Sequence, residues 1–292
     1  MRKYKYKKID AFITEKSLGN PAAYILLEDK NLTPEEMLQI GKDHKNYVSE
    51  VVFCENSTIA DIKLTYYSSE CEVDFCGHGT IAAMYDIVKS SELIEKEIIT
   101  IETNKKGILT LYNRISTEDA VYITAPTAEE YVANISKLDI SKNLGVNLDV
   151  ISDSLPTDFI NAGLSTYIIP FNNLNDMINF YPNIEELKKF CLNNSIDIVL
   201  TFTKETQNKD MYIHSRVFAP KFGYLEDPAT GSGNSALGKY MLKNHIWDGR
   251  SINIEQGGND RIYNKVMLSL DGDKILFGGN AKVRIEGTIY ID

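Results

Sequence analysis

The chain has 292 residues, 43% of them apolar, enough for one large or two medium domains with a buried core. Its formal charge of −10 argues against nucleic acid or an anionic membrane surface as partner, though a small anion can still meet a locally positive site. With no apolar core after the basic opening MRKYKYKKIDAF, no run of about 18 apolar residues and only four cysteines, a cytoplasmic protein with reduced thiols is expected.

Short β-rich runs dominate. KYKKIDAFI (Lys5–Ile13) and AAYILLE (Ala22–Glu28) read as the first two strands. LTPEEMLQIGKDH follows as a helix, with Thr33 as N-cap, Pro34 at the first helical position and acids in the first turn. SEVVFCE and DIKLTYYS are strands, and a small-residue helix follows GHGT. EIITIET, GILTLYN, AVYIT and STYIIPF continue the strand series up to a helix over PNIEELKKFCLNN. IDIVLTFT and MYIHSRVF precede a second small-residue helix after GSGN, and SINIEQ, KVMLSL, KILFGG and KVRIEGTIYI close the chain as strands. No long linker or low-complexity segment separates these elements, so domains must be packed closely.

The same plan occurs twice. Cys76-Gly77-His78-Gly79-Thr80 aligns with Thr230-Gly231-Ser232-Gly233-Asn234 at an offset of 154 (230 − 76), which also pairs Glu72 with Glu226 and Ala82 with Ala236. Upstream, NPAAYILL, TPEEMLQIGKDH and SEVVF match LSTYIIPF, NIEELKKFCLNN and IDIVL in the same order. Duplication follows: two similar α+β halves, each offering a Gly-flanked helix start to a shared cleft.

Glycines at 77, 79, 231 and 233 let backbone approach a ligand, and first-turn amides with the helix dipole favour an anion. Small residues there also suit a helix packed tightly inside a ring of strands. A Walker loop is excluded, since no Gly-Lys-Ser/Thr follows, and a substrate carboxylate is the simpler occupant. His78 at a helix start serves as a structural hydrogen-bonder as readily as a catalyst. Cys71-x4-Cys76-x-His78 invites zinc, but the spacing is unusual and a fourth ligand is not evident, so no metal is expected. Asp227 stands before Pro228, which biases it to an extended conformation, and acids just before helices are commonly caps. Glu50 interrupts an apolar strand and must face either solvent or a cleft; on spacing alone, solvent is the simpler choice.

LGNPAA (Leu18–Ala23), SEVVF (Ser49–Phe53), FCGHGT (Phe75–Thr80) and FAP…EDPATGS (Phe218–Ser232) together resemble the phenazine-biosynthesis isomerase-like family, of the diaminopimelate epimerase superfamily. The resemblance spans nearly the whole chain. It implies an α+β fold of two pseudo-symmetric epimerase-like halves, each a curved, mainly antiparallel, barrel-like sheet around a central helix. The expected halves are residues 1–115, completed by a closing strand over 281–292, and 116–280. The resemblance also implies a homodimer.

Residue by residue, it makes Glu50 the acid/base carboxyl, with His78, Asp227 and Ser232 positioning substrate and aiding proton movement. Asn20, Gly77, Gly79, Thr230, Gly231 and Gly233 become the expected substrate-binding residues. The tail departs from the family pattern: EQGGNDR reaches Arg261 one residue early with no Gly before it, which leaves a substrate role for Arg261 open. Epimerases and racemases of the superfamily use two opposed thiols, one at each helix start. Here Cys76 has Thr230 as its counterpart, and a hydroxyl is far too weak an acid to replace a thiolate. The strand of the second half carries Asp197 at the place expected to match Glu50.

The expectation is therefore a cofactor-independent isomerase acting on a small, cyclic or unsaturated carboxylate. In the family, the reaction moves a proton along the allylic system of a hydroxylated dihydroanthranilate. An amino-acid epimerase or racemase, and a non-catalytic carboxylate binder, are the rival expectations. Neither nucleotide, flavin nor metal is called for.

Overall fold

The computed structural model describes residues 1–28, 31–258 and 262–291. Contacts between Cα atoms divide the chain into two compact units, one formed by Met1–Thr124 with the stretch from Gly278, the other by Ala125–Phe277. The first boundary falls after Thr124 instead of after residue 115, because Ala120–Thr124 pairs antiparallel with Gly107–Arg114 and stays with the first unit.

The first unit runs β1 (Arg2–Ala11), β2 (Asn20–Glu28), α1 (Pro34–Asp43), β3 (Glu50–Glu55), β4 (Ile62–Ser68) and β5 (Glu72–Val73). It continues through α2 (Gly77–Lys89), β6 (Ile98–Thr103), β7 (Gly107–Arg114), α3 (Ile115–Glu118) and β8 (Ala120–Thr124). The second unit holds β9 (Glu129–Tyr131), α4 (Lys137–Leu144), β10 (Asp158–Asn161), β11 (Ser165–Pro170), α5 (Leu174–Asn179) and α6 (Ile184–Asn193). There follow β12 (Ile198–Thr203), β13 (Ile213–Phe218), β14 (Glu226–Asp227), α7 (Gly231–Lys243), β15 (Ile252–Gln256), β16 (Asn264–Asp271) and β17 (Lys274–Gly279), whose last two residues fall past the unit boundary. The last strand, β18 (Ala281–Ile291), returns to the first unit and pairs antiparallel with β1.

Pairing repeats the duplication. In the first unit β1 pairs antiparallel with β2, β2 runs parallel to β3, β3 antiparallel to β4, and β4 parallel to β6. In the second unit β10, β11, β12, β13 and β15 pair with the same sequence of senses. Parallel neighbours need a crossover, and α1 and α2 supply it in the first unit, α6 and α7 in the second. β5 hangs on β4 as β14 hangs on β13.

The two central helices are thirteen residues each and start alike: Cys76 precedes α2 at φ −127°, ψ 107°, and Thr230 precedes α7 at φ −125°, ψ 112°. α2 packs on β1, β2, β3, β8 and β18; α7 packs on β10, β11, β12 and β16. Their small-residue sequences fit that burial, since a helix covered on most sides is apolar or small most of the way round. α1 covers the other sheet face instead. Its capping box is complete, with Thr33 Oγ1 accepting from the Glu36 amide and the Glu36 carboxylate accepting from the Thr33 amide. Met37 and Ile40 join Ile25, Val51, Phe53 and Tyr67 in one apolar cluster.

Candidate active site

β3 makes the acid legible. Val51 and Phe53 point into the α1 cluster, so alternation sends Val52 and Glu50 to the opposite face. Val52 confirms that this is the α2 face, because a Cβ built on Gly79 would lie 2.9 Å from Val52 Cγ2 and 2.9 Å from Cys76 Sγ. Glu50 therefore faces the start of α2, not bulk solvent.

Three side chains converge there. Glu50 Oε2 lies 3.6 Å from Cys76 Sγ and 3.4 Å from His78 Nε2, and Cys76 Sγ lies 3.6 Å from His78 Nδ1. Ser49 Oγ is 3.2 Å from His78 Nε2. Cys76 is buried and caps α2, its sulfur accepting from the Gly79 amide at 3.3 Å. Glu50 and His78 keep 20% and 15% of their side-chain surface exposed, so a ligand can reach them while most surrounding water is excluded. Behind them, Thr80 donates to the Cys76 carbonyl at 2.7 Å and lies 2.8 Å from the Tyr66 hydroxyl, whose pKa burial pushes far up.

The second unit builds a different chemistry on the same backbone. The Thr230 hydroxyl donates to the Asp227 carboxylate, so α7 has no side-chain cap and its first amides are left to other acceptors. Gln256 ties the turn together. Its Oε1 accepts from the Thr230 amide at 3.0 Å and Asn234 Nδ2 at 2.6 Å, and its Nε2 donates to the Asp227 carbonyl at 2.9 Å and to Thr230 Oγ1 at 3.2 Å. Asn234, Ser235 and Gln256 are fully buried.

The family model for phenazine biosynthesis-like proteins matches residues 9–289. The chain belongs to that family. It is 30% identical, over all of both chains, to Antisense-enhancing sequence 1 of Schizosaccharomyces pombe. It is also 30% identical to the uncharacterized isomerase YfhB of Bacillus subtilis, over 99% of this chain and 96% of that protein. Among solved structures, a Bacillus anthracis phenazine biosynthesis protein of the PhzF family covers 100% of both chains at 27% identity, with a TM-score of 0.86. More distant structures, of a hydroxyproline epimerase and a probable proline racemase, share the fold alone. The expected fold class stands, and the expectation of an isomerase is met at the level of the family.

Within this member of the phenazine biosynthesis-like family, the expected site residues fall into two groups. Glu50 and His78 meet in the first unit, together with Cys76 and Ser49. Asp227 and Thr230 meet in the second, where Ser232 occupies the partly exposed first turn of α7. Gly77 and Gly79 open α2 as Gly231 and Gly233 open α7. At three of these glycines tight packing also operates, since a Cβ would lie 2.5 Å from the Phe277 ring at Gly231, 2.9 Å from Cys76 Sγ at Gly79 and 3.2 Å from Ile198 at Gly233. Asn20 is buried at the start of β2, opposite Ala11. Arg261 lies outside the described residues.

One expected equivalence is corrected by register. Tyr67 pairs with Glu72 and with Val51; Phe218 pairs with Glu226 and with Val199. Val199 is thus the counterpart of Val51, and Ile198, not Asp197, is the counterpart of Glu50. The one-residue slip turns Asp197 away. It binds Lys221 Nζ at 2.6 Å and accepts from the Ser165 amide at 2.9 Å. Glu226 is likewise committed: it forms a two-pronged pair, at 2.8 and 2.7 Å, with the fully buried Arg216. Gln256 escaped the sequence reading, although a polar residue closing the apolar strand SINIEQ is the same kind of signal that Glu50 gives in VSEVVF.

Proposed function

We propose that this protein is a cofactor-independent isomerase that moves a proton on a small cyclic or unsaturated carboxylate, with Glu50 as the acid/base group. The supporting observation is asymmetry at equivalent places. The first unit presents Glu50 to His78 and Cys76 at a helix start, whereas the second has Ile198 there. A single carboxyl accepts a proton from one carbon and returns it to another, so no second acid is required. His78 fixes the carboxylate's position and donates to substrate oxygen. First-turn amides at a helix start suit an anionic group of the substrate, and the family resemblance gives Asp227 and Ser232 positioning roles.

A thiol-based epimerase has one observation in its favour, the placement of Cys76 within 3.6 Å of both Glu50 and His78. Against it, the counterpart of Cys76 in the second unit is Thr230, whose hydroxyl donates to Asp227 and is far too weak an acid to replace a thiolate.

The test starts from a thermal-shift screen of cyclic, unsaturated and amino carboxylates, followed by turnover of each stabilising compound in deuterium oxide. Glu50→Gln keeps the shape but cannot accept a proton, and should cut turnover by about 10²–10⁴-fold while binding and fold persist. Near wild-type turnover in Glu50→Gln would sink the mechanism. Tight binding with neither turnover nor proton exchange by the wild type would identify a non-catalytic binder.

A further inference from the structure

The separations among Glu50, Cys76 and His78 have a second meaning. Ligands held at about 2.0–2.3 Å from a tetrahedral zinc ion lie about 3.3–3.6 Å from one another. Here Glu50 Oε2 is 3.6 Å from Cys76 Sγ and 3.4 Å from His78 Nε2, and Sγ is 3.9 Å from Nε2. Two separations fall within the range, and a slight turn of the partly exposed imidazole brings in the third. Cys71, the thiol that the sequence spacing would have paired with Cys76, is exposed and is not part of this cluster; Glu50 takes its place.

We propose that these three side chains form a binding site for zinc or another borderline-soft divalent cation, with the fourth position open. The ligand set fits in charge as well as in distance: a thiolate and a carboxylate balance a dication, and the imidazole binds through neutral Nε2. Cys76 Sγ sits at the start of α2, where the Gly79 amide already donates to it at 3.3 Å. Binding releases the thiol proton to solvent. The Ser49 hydroxyl, at 3.2 Å the present neighbour of Nε2, is on an exposed residue and can turn aside. Because the ion takes the Glu50 oxygen, it suppresses proton transfer. That consequence rests on the role proposed for Glu50; the binding itself does not.

Cobalt(II) is the direct probe, since a cobalt–thiolate bond gives a charge-transfer band that carboxylate and imidazole alone do not. Chelator-treated full-length wild type, Cys71→Ser, Cys76→Ser and Glu50→Gln are titrated with cobalt, then with zinc as competitor. One equivalent of cobalt should give the band in wild type and Cys71→Ser, zinc should abolish it, and Cys76→Ser should lack it. Glu50→Gln, which keeps the thiol, should bind cobalt at least about tenfold more weakly. A wild type without the band, a band lost in Cys71→Ser or retained in Cys76→Ser, or undiminished affinity in Glu50→Gln would each overturn the site. The wild-type and Glu50→Gln measurements decide even if Cys76→Ser fails to fold. All four are readable without a substrate, so failure here is separate from failure of the proposed isomerase.

Discussion

Ile198 stands where Glu50 stands, so one position in a duplicated ladder decides which unit carries the carboxylate. The acid itself is visible in VSEVVF, but its direction is not, because the alternation that turns it towards α2 depends on which face α1 covers. Asp197 misleads for the same reason, one residue out of register and on the other face. His214 and Glu255 offer a different lesson. Both are fully buried, with His214 Nδ1 at 2.8 Å from Glu255 Oε1 and Nε2 at 2.9 Å from the Gly257 carbonyl. Burial opposes ionisation of Glu255, yet hydrogen bonds from His214, the Gln207 amide and Asn208 outweigh it and hold its pKa below the usual carboxylate value. A lowered folded pKa contributes stability that is present above the unfolded carboxylate pKa of about 4.3 and is lost as pH falls through the folded value. Glu255→Gln should therefore be less stable than wild type by about 3–5 kcal/mol at neutral pH. Thermal melts across pH should show that gap closing in acid, and a gap independent of pH would contradict the linkage.

The long elements declare themselves through their end signals. Thr33 opens α1 with the side-chain cap expected of it, and Asn183 caps α6 in the structure. The pairing of α2 with α7 follows from their shared glycine spacing. Short elements were less legible. α4, α5 and β10 are not evident from the sequence, although Ser136 and Gly145 cap α4, because helices of eight and six residues and a strand of four give too few repeats of their periods to stand out. First strand β1 begins at Arg2, ahead of the expected Lys5, since pairing with β18 extends its ladder. At this scale the helix starts can be tested for packing independently of ligand. Gly231→Ala drives a Cβ to within 2.5 Å of the Phe277 ring and should destabilise by about 1–3 kcal/mol, by denaturant titration. Gly287→Ala, with no atom within 4 Å of its Cβ, should stay within about 0.5 kcal/mol of wild type. Equal effects at the two positions would refute this account of the α7 start.

For the molecule as a whole, the duplication was readable because three elements recur in order; the exact point at which one unit hands over to the other was not, because it depends on β8 pairing with β7. No helix among the described residues is long and apolar enough to cross a membrane. Each chain weighs 33.0 kDa, and the homodimer expected from the family resemblance predicts a light-scattering mass of twice that at micromolar concentration. A 33.0 kDa species would reject it. The return of β18 to β1 bears on how the chain comes into being. Its ladder runs from Arg2 against Ile291 to Ala11 against Ala281, so β1 receives one of its neighbours from β18, with the whole of the second unit lying between them in the chain. During synthesis the ladder from β9 to β16 can be assembled while β1 still lacks that flank. Closing so distant a pairing is slow, because the loop entropy is spent before the contact rewards it. Until β18 arrives, β1 would thus stand as an open sheet edge on the very unit that carries Glu50.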